Sequence, residues 1–324
     1  MENLLGRRPR GSANRESQGD RASRQSWNTE ETRDGLSQWR ALVRSCCLNP
    51  SFFRPMCLMK ASSYQMKIFF LSFGSGCKFY GSRLRLAAEA RQLGVFDEIT
   101  MADECSLGED FWRSRGDLVR RYKRGFGLWS WKPYLIMKRL EAMKDGGLLV
   151  YVDVGCSLNP EGLRRLEEYL EMAARGPGWL GFSLRGNSNG AWTKRAMLRS
   201  LGQDDPAIRG RPQLASGIHF IRACDSTRLL ARRWYDACGQ EADMNDVCSD
   251  DEHPEFIAHR HDQSAFSLLA AGGPVEDIPD ESWFEPDWAA NRTYPVHARR
   301  WKHRIPWPTS WLRSRRLEGI LRRL

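Results

Sequence analysis

The chain has 324 residues and a formal charge of +10, which would suit a polyanionic partner if the charges were spread over the body. They are not: residues 1–65 carry +5 and residues 292–324 carry +9, so residues 66–291 carry −4. That distribution disfavours nucleic acid as the partner and leaves the basic ends able to touch an anionic membrane surface. No run of about 18 uncharged apolar residues occurs, so no membrane-spanning helix is expected. No apolar signal core follows the N-terminal arginines. The nine cysteines are scattered without a C-x-x-C pair, which argues against a zinc ribbon or a disulfide framework and fits a cytoplasmic protein.

Residues 1–65 are rich in Arg, Ser, Gly, Asn and Gln and read as a disordered basic leader. Met59 and Met66 stand just before the first strand pattern, and a start near either would explain the leader. Residues 67–73 (KIFFLSF) form a first strand, turned by Gly74-Ser75-Gly76. The third glycine of a dinucleotide fingerprint would fall at Phe79, so the turn is read as a plain strand-to-helix connection. A helix follows over 80–93, with Tyr80, Leu84, Ala87 and Ala88 on its apolar face and Leu86, Ala90 and Leu93 flanking it. A short strand at 98–101 and a charged surface helix at 109–122 come next.

The most informative stretch runs from 124 to 159. Gly125 and Gly127 let a loop bend tightly, Trp129 and Trp131 lay flat rings beside it, and Pro133 suits the first turn of a helix. Leu135, Ile136, Leu140 and Met143 give that helix an apolar face, and Gly146-Gly147 ends it. Residues 148–152 are a continuous apolar run, the pattern of a central strand, and Asp153 stands where it stops. In open α/β sheets ligands collect at the carboxyl ends of strands. Asn159 and Pro160 then open a helix as N-cap and first residue.

Strands are expected at 179–184, 214–221 and 275–278, and helices at 192–201, 226–238 and 261–270, with an acidic loop at 243–255. The alternation implies an α/β fold, a mixed, mostly parallel sheet flanked by helices, in one main domain over 66–300. Residues 301–324 read as a basic amphipathic tail. Leu317, Ile320, Leu321 and Leu324 are spaced for one helix face, which would lie in a membrane interface or on the protein's own body.

Three polar sites occupy comparable places on these elements: Asp153 at a strand end, Asp262-Gln263 opening a helix, and the late His297. Asp153 with His297 would hold Mn²⁺ or Mg²⁺ against a diphosphate, and Lys132 would add a second positive charge. Each has a plainer alternative, since Asp153 and Asp262 also suit capping and His297 lies among arginines. His259 and His261 have no further ligand spacing that would make them a zinc pair.

The blocks GFGLWSWKPYLI, LLVYVDVGCSLN, AWTKRAML and RHDQSAFSLL, in that order, resemble a group of bacterial glycosyltransferase-like proteins with a GT-A, nucleotide-diphospho-sugar transferase fold. The resemblance spans about 67–273. It implies transfer of a sugar from a nucleoside-diphosphate sugar to a glycan or lipid-linked acceptor in envelope polysaccharide synthesis. Under it, Phe73, Gly74, Ser75, Trp131, Lys132, Tyr151 and Asp153 are donor-binding, and Asp262 and Gln263 lie beside the transferred sugar as the catalytic pair. Asp153 would stand in the acidic Asp-x-Asp motif, but here the run is Asp153-Val154-Gly155 and the second acid is absent. A sugar-nucleotide-forming nucleotidyltransferase, or a non-catalytic membrane- or glycan-binding protein on a decayed transferase fold, are the alternatives.

Overall fold

The computed structural model describes residues 66–282 and 291–299. The expected leader at 1–65 and the expected tail at 301–324 lie outside that range. Strands β1 (Ile68–Phe73), β2 (Glu98–Ala102), β3 (Leu148–Val152), β5 (Trp179–Ser188), β6 (Pro212–Leu214), β7 (Ile218–Arg222) and β8 (Val275–Pro279) form one sheet. A second, two-stranded sheet pairs β4 (Ser157–Leu158) with β9 (Val296–His297). The large sheet runs β2-β1-β3-β7-β5-β6, with β8 on the other edge of β5. β1 is parallel to β2 and β3, and β5 is parallel to β8, while β6 and β7 run against their neighbours. The sheet is therefore mixed, and most of its strands point one way.

Helices α1 (Tyr80–Leu93), α2 (Glu109–Arg121), α3 (Trp131–Ala142), α4 (Leu163–Arg175), α5 (Asp225–Ala237) and α6 (His261–Ala270) cover both faces. All five residues of β3 are buried because the strand is covered on both sides. Its side chains alternate between two cores. Leu149 and Tyr151 join α2, α3, α5 and α6, while Leu148, Val150 and Val152 join α1 and α4. Asp153 continues the phase of Leu149 and Tyr151, which sends its side chain toward α3 and α6.

Three expectations change in detail. On α1 the buried residues are Ser82, Leu86, Ala87, Ala90 and Leu93, whereas Leu84 is 40% exposed. The Leu86, Ala90, Leu93 stripe therefore faces the sheet, rather than the Tyr80–Leu84 side. The single helix expected at 192–201 is two short turns, Asn189–Trp192 and Arg195–Ser200, because Thr193 is extended and its hydroxyl accepts from Gln213. The single strand expected at 214–221 is broken at 215–217. The break changes its phase: Leu214 belongs to one core and Ile218 to the other, although residues four apart in an unbroken strand share a face.

Helix α1 also fixes the segment after Asp153. Arg85 donates to the Val154 and Cys156 carbonyls at 3.0 and 2.7 Å, and Glu89 accepts from the Leu158 amide at 2.9 Å. Among the described residues no helix is long and apolar enough to cross a membrane.

The packing of α1 makes a direct prediction. Leu86→Ala should cost about 2–5 kcal/mol in urea unfolding, and Leu84→Ala within about 0.5 kcal/mol. The reverse ranking would overturn this assignment of the buried face.

Candidate functional site

The carboxyl ends of β1 and β3 open onto a cavity of ≈ 1010 Å³. Phe73, Gly74 and Ser75 bring β1 to it, and Asp153, Val154 and Gly155 bring the end of β3. Ser216 and Gly217 enter from the break between β6 and β7, and Gln263 from α6. Four cations, Lys78, Arg124, Arg185 and Arg260, and two acids, Asp153 and Asp280, lie on its walls. Cation-rich walls beside the half-buried rings of Phe79, Phe126 and Trp129 suit an anionic ligand with a flat group attached.

Beneath this wall lies a buried ion cluster. The Lys132 ammonium is 2.9 Å from Asp262 Oδ2 and 3.3 Å from Asp153 Oδ1, and its side chain is 2% exposed. It is also 3.4 Å from Ser216 Oγ, which donates to Asp262 Oδ2 at 2.9 Å. Tyr151 donates its phenol proton to Asp153 Oδ1 at 2.7 Å. Burial works against the Lys132 charge, but the two carboxylates together hold its pKa above the ordinary lysine range. Burial raises the Asp262 carboxyl, Lys132 opposes that shift, and Asp153 adds to it. Asp262 is 5% exposed and Asp153 is 38% exposed, so Asp153 is the carboxylate that faces the cavity.

The break at 215–217 is held from below. Trp179 Nε1 donates to His219 Nδ1 at 3.1 Å, which leaves the proton on Nε2 to donate to the Ser216 carbonyl at 3.0 Å. His219 is fully buried and lies near Lys132, and both effects lower its pKa to about 3, so the ring is neutral. The Asp153 amide in turn donates to the Gly217 carbonyl at 2.8 Å. A Cβ on Gly217 would lie 3.0 Å from Asp153 Oδ2, so the chain passes close to that carboxylate at the break.

The glycine- and tryptophan-rich loop carries strained backbone. Phe126, Leu128 and Trp129 have φ of 53°, 56° and 61°, unusual for residues with a Cβ. The loop is tied by Trp131 Nε1 donating to the Gly125 carbonyl at 2.8 Å and by Phe73 stacking on Trp131 at 3.9 Å. His261, directly before Asp262, has φ 49°. Its ring lies 5.2 Å from Trp129 and 5.0 Å from His259, and its Nε2 is 3.0 Å from Asp246 Oδ1 without hydrogen-bond alignment. Burial is the main reason its pKa falls to about 4. Asp246, from the acidic loop, also pairs with Arg124 at 2.9 Å.

The structure thus brings most of the expected residues together, in two layers. Phe73, Gly74, Ser75, Trp131, Asp153 and Gln263 line the cavity. Lys132, Tyr151 and Asp262 form the layer behind it. His297 is placed elsewhere. It is 1% exposed, pairs with Ser157 across the small sheet, and has Nε2 3.0 Å from the Asn291 carbonyl.

The donor set does not fit a resident divalent ion. The space between the two carboxylates holds an ammonium, and no group of three or more His, Cys, Asp or Glu suited to a metal occurs among the described residues. Sequence reasoning missed Ser216, Gly217 and His219. The Ser-Gly pair inside LASGIHFI was the available signal, because a glycine within a strand marks a bulge or a close backbone approach.

No protein-family model and no curated protein matches this chain. Solved structures similar to it in shape include a glycosyltransferase involved in the glycosylation of the major capsid of PBCV-1 (TM-score 0.39, 9% identity, 71% of this chain and 93% of that one). Mouse xyloside xylosyltransferase 1 in its apo form is another (0.38, 11%, 67% and 86%). A third is the galactosyltransferase LgtC in complex with donor and acceptor sugar analogs (0.37, 15%, 68% and 75%).

Lys132 offers a stability test. Lys132→Met leaves two carboxylates without their shared cation and should lower unfolding free energy by about 3–5 kcal/mol. Lys138→Met, which removes a 44%-exposed lysine paired with Asp110, should cost no more than about 1 kcal/mol. Equal losses in urea titration would mean that the buried cluster contributes no special coupling.

Proposed function

We propose that the chain is a GT-A-like glycosyltransferase. It moves a sugar from a nucleoside-diphosphate sugar to a hydroxyl of a glycan or lipid-linked acceptor, in envelope polysaccharide synthesis. The observation that carries this reading is the convergence, in one cavity at the carboxyl ends of β1 and β3, of an aromatic wall, several cations and one braced carboxylate. A nucleotide sugar has a flat base, two phosphates and a ring of hydroxyls, and each wall suits one of these parts.

In this reading the half-buried rings of Phe79, Phe126 and Trp129, backed by the stacked Phe73–Trp131 pair, meet the base and ribose. Lys78, Arg124, Arg185 and Arg260 offset the negative charge that builds on the diphosphate as its bond to the sugar breaks. Asp153 accepts hydrogen bonds from sugar hydroxyls, with its Oδ1 fixed by Tyr151 and Lys132. Gln263 contributes its amide from the start of α6 while donating to Gln213 Oε1 at 2.7 Å. Asp262 holds Lys132 and Ser216 and orients the wall without reaching substrate. No step passes through a metal.

The nucleotidyltransferase alternative needs the turn after β1 to cradle phosphates. The Gly76 amide in that turn already donates to the Glu104 carboxylate, at 3.0 Å to Oε2, so an acid stands where phosphate would bind. This disfavours the alternative.

Calorimetry with UDP, GDP and their sugars tests the donor assignment directly. Binding of at least one at submillimolar concentration is expected, and no binding at millimolar levels would end it. Asp153→Asn should lower transfer on the order of 10²-fold while leaving the fold intact by circular dichroism. Unchanged turnover would remove Asp153 from the site.

A further inference from the structure

We infer that Lys132 takes the place of a divalent cation in this site, so that the chain binds no Mn²⁺ or Mg²⁺ of its own and uses its donor without one. The binding half stands on geometry alone. The half concerning the donor rests on the proposed glycosyl transfer.

Three observations support it. The first is position. A carboxylate from the end of β3 and one from the start of α6 approach a single cation, at 3.3 and 2.9 Å, and that cation is an ammonium. Paired carboxylates around a small gap are what a hard divalent ion seeks, with oxygens at about 2.0–2.1 Å for Mg²⁺. Here the gap is filled by a group carried on the chain. A metal ion placed there would sit against a like charge.

The second is confinement. Lys132 lies in the second position of α3, is 2% exposed, and has Ser216 Oγ as a third neighbour at 3.4 Å. The ammonium is therefore held beneath the cavity wall, away from solvent. Leaving the cluster would strand its charge in the core.

The third is the state of the other donors. Asp262 Oδ2 is already engaged by Lys132 and Ser216. Asp153 Oδ1 is engaged by Tyr151 and Lys132, which leaves Oδ2 as one oxygen where a divalent ion takes several. His297 directs Nε2 to the Asn291 carbonyl. The missing second acid of the Asp-x-Asp run and the buried lysine are therefore two sides of one arrangement. The acid that would complete a metal site is supplied from α6, and Lys132 neutralises it in advance.

The arrangement has a sharp consequence. Removing the ammonium while keeping both carboxylates should create the metal site that the native chain lacks. The test uses the full chain and Mn²⁺ as the probe, followed by electron paramagnetic resonance of the free ion. The wild type should leave the free Mn²⁺ signal unchanged. Lys132→Met should remove about one ion per chain and gain a higher melting temperature on adding Mn²⁺. A second change, Asp153→Asn in the Lys132→Met background, should abolish both effects. UDP affinity of the wild type, measured by calorimetry, should be the same in EDTA and in Mn²⁺.

One Mn²⁺ bound per wild-type chain and lost in Asp153→Asn would overturn the inference. So would a folded Lys132→Met variant that binds no ion, or a gain of about tenfold or more in wild-type UDP affinity on adding Mn²⁺. If Lys132→Met does not fold, the wild-type arms decide alone. If UDP and GDP both fail to bind, the donor reading falls and the Mn²⁺ titrations still decide the metal question.

Discussion

The contact between the Lys132 ammonium and the carboxylates of Asp153 and Asp262 is the constraint on which the rest of the site depends. It ties together three parts of the chain that already share one apolar core, and fixes their polar ends at one point: the start of α3, the end of β3 and the start of α6. A buried charge without partners is so costly that none of the three can move independently. Ser216 completes the cluster from the strand break, so the end of the sheet and two helices are locked together. The cavity wall is the outer surface of that lock.

Much of the surrounding backbone is arranged to deliver these side chains. The left-handed residues Phe126, Leu128 and Trp129 turn the chain into α3 so that Lys132 points inward, and His261 does the same ahead of Asp262. Such conformations cost roughly 1–3 kcal/mol each and persist only where packing over-determines them. Trp129 packing near His261 lets the two strained segments brace each other. Neutral His219, fixed between Trp179 and the Ser216 carbonyl, adds a polar support that carries no charge of its own.

The helix and strand order was legible because apolar period, caps and glycines change sharply along this chain. The continuous run at 148–152 announced a strand covered on both faces, and Asp153 at its end announced a site. The sequence marks Lys132, Tyr151 and Asp262 as candidates by position, but not how deep they lie. A charged residue in sequence carries no mark of burial, and the partner that makes burial tolerable lies far along the chain. The break at 215–217 was hidden for another reason. LASGIHFI reads as one strand until pairing with β3 and β5 shows that its two ends face different cores. His297 stands at a plausible ligand position in the sequence, yet a two-stranded sheet built from segments of two residues leaves no periodic signal, and that sheet holds the ring away from Asp153.

Gly217 bears a double duty whose consequence reaches beyond this one molecule. Its carbonyl receives the Asp153 amide, and its bare Cα leaves the clearance that the Asp153 carboxylate occupies. A Cβ at 217 would crowd that carboxylate at 3.0 Å. A larger residue at 217 is therefore accommodated only where the Asp153 side chain gives way by a few tenths of an ångström. Where another chain shares the lysine bridge but carries a larger residue here, the acid at the end of its central strand should be displaced from the position Asp153 holds.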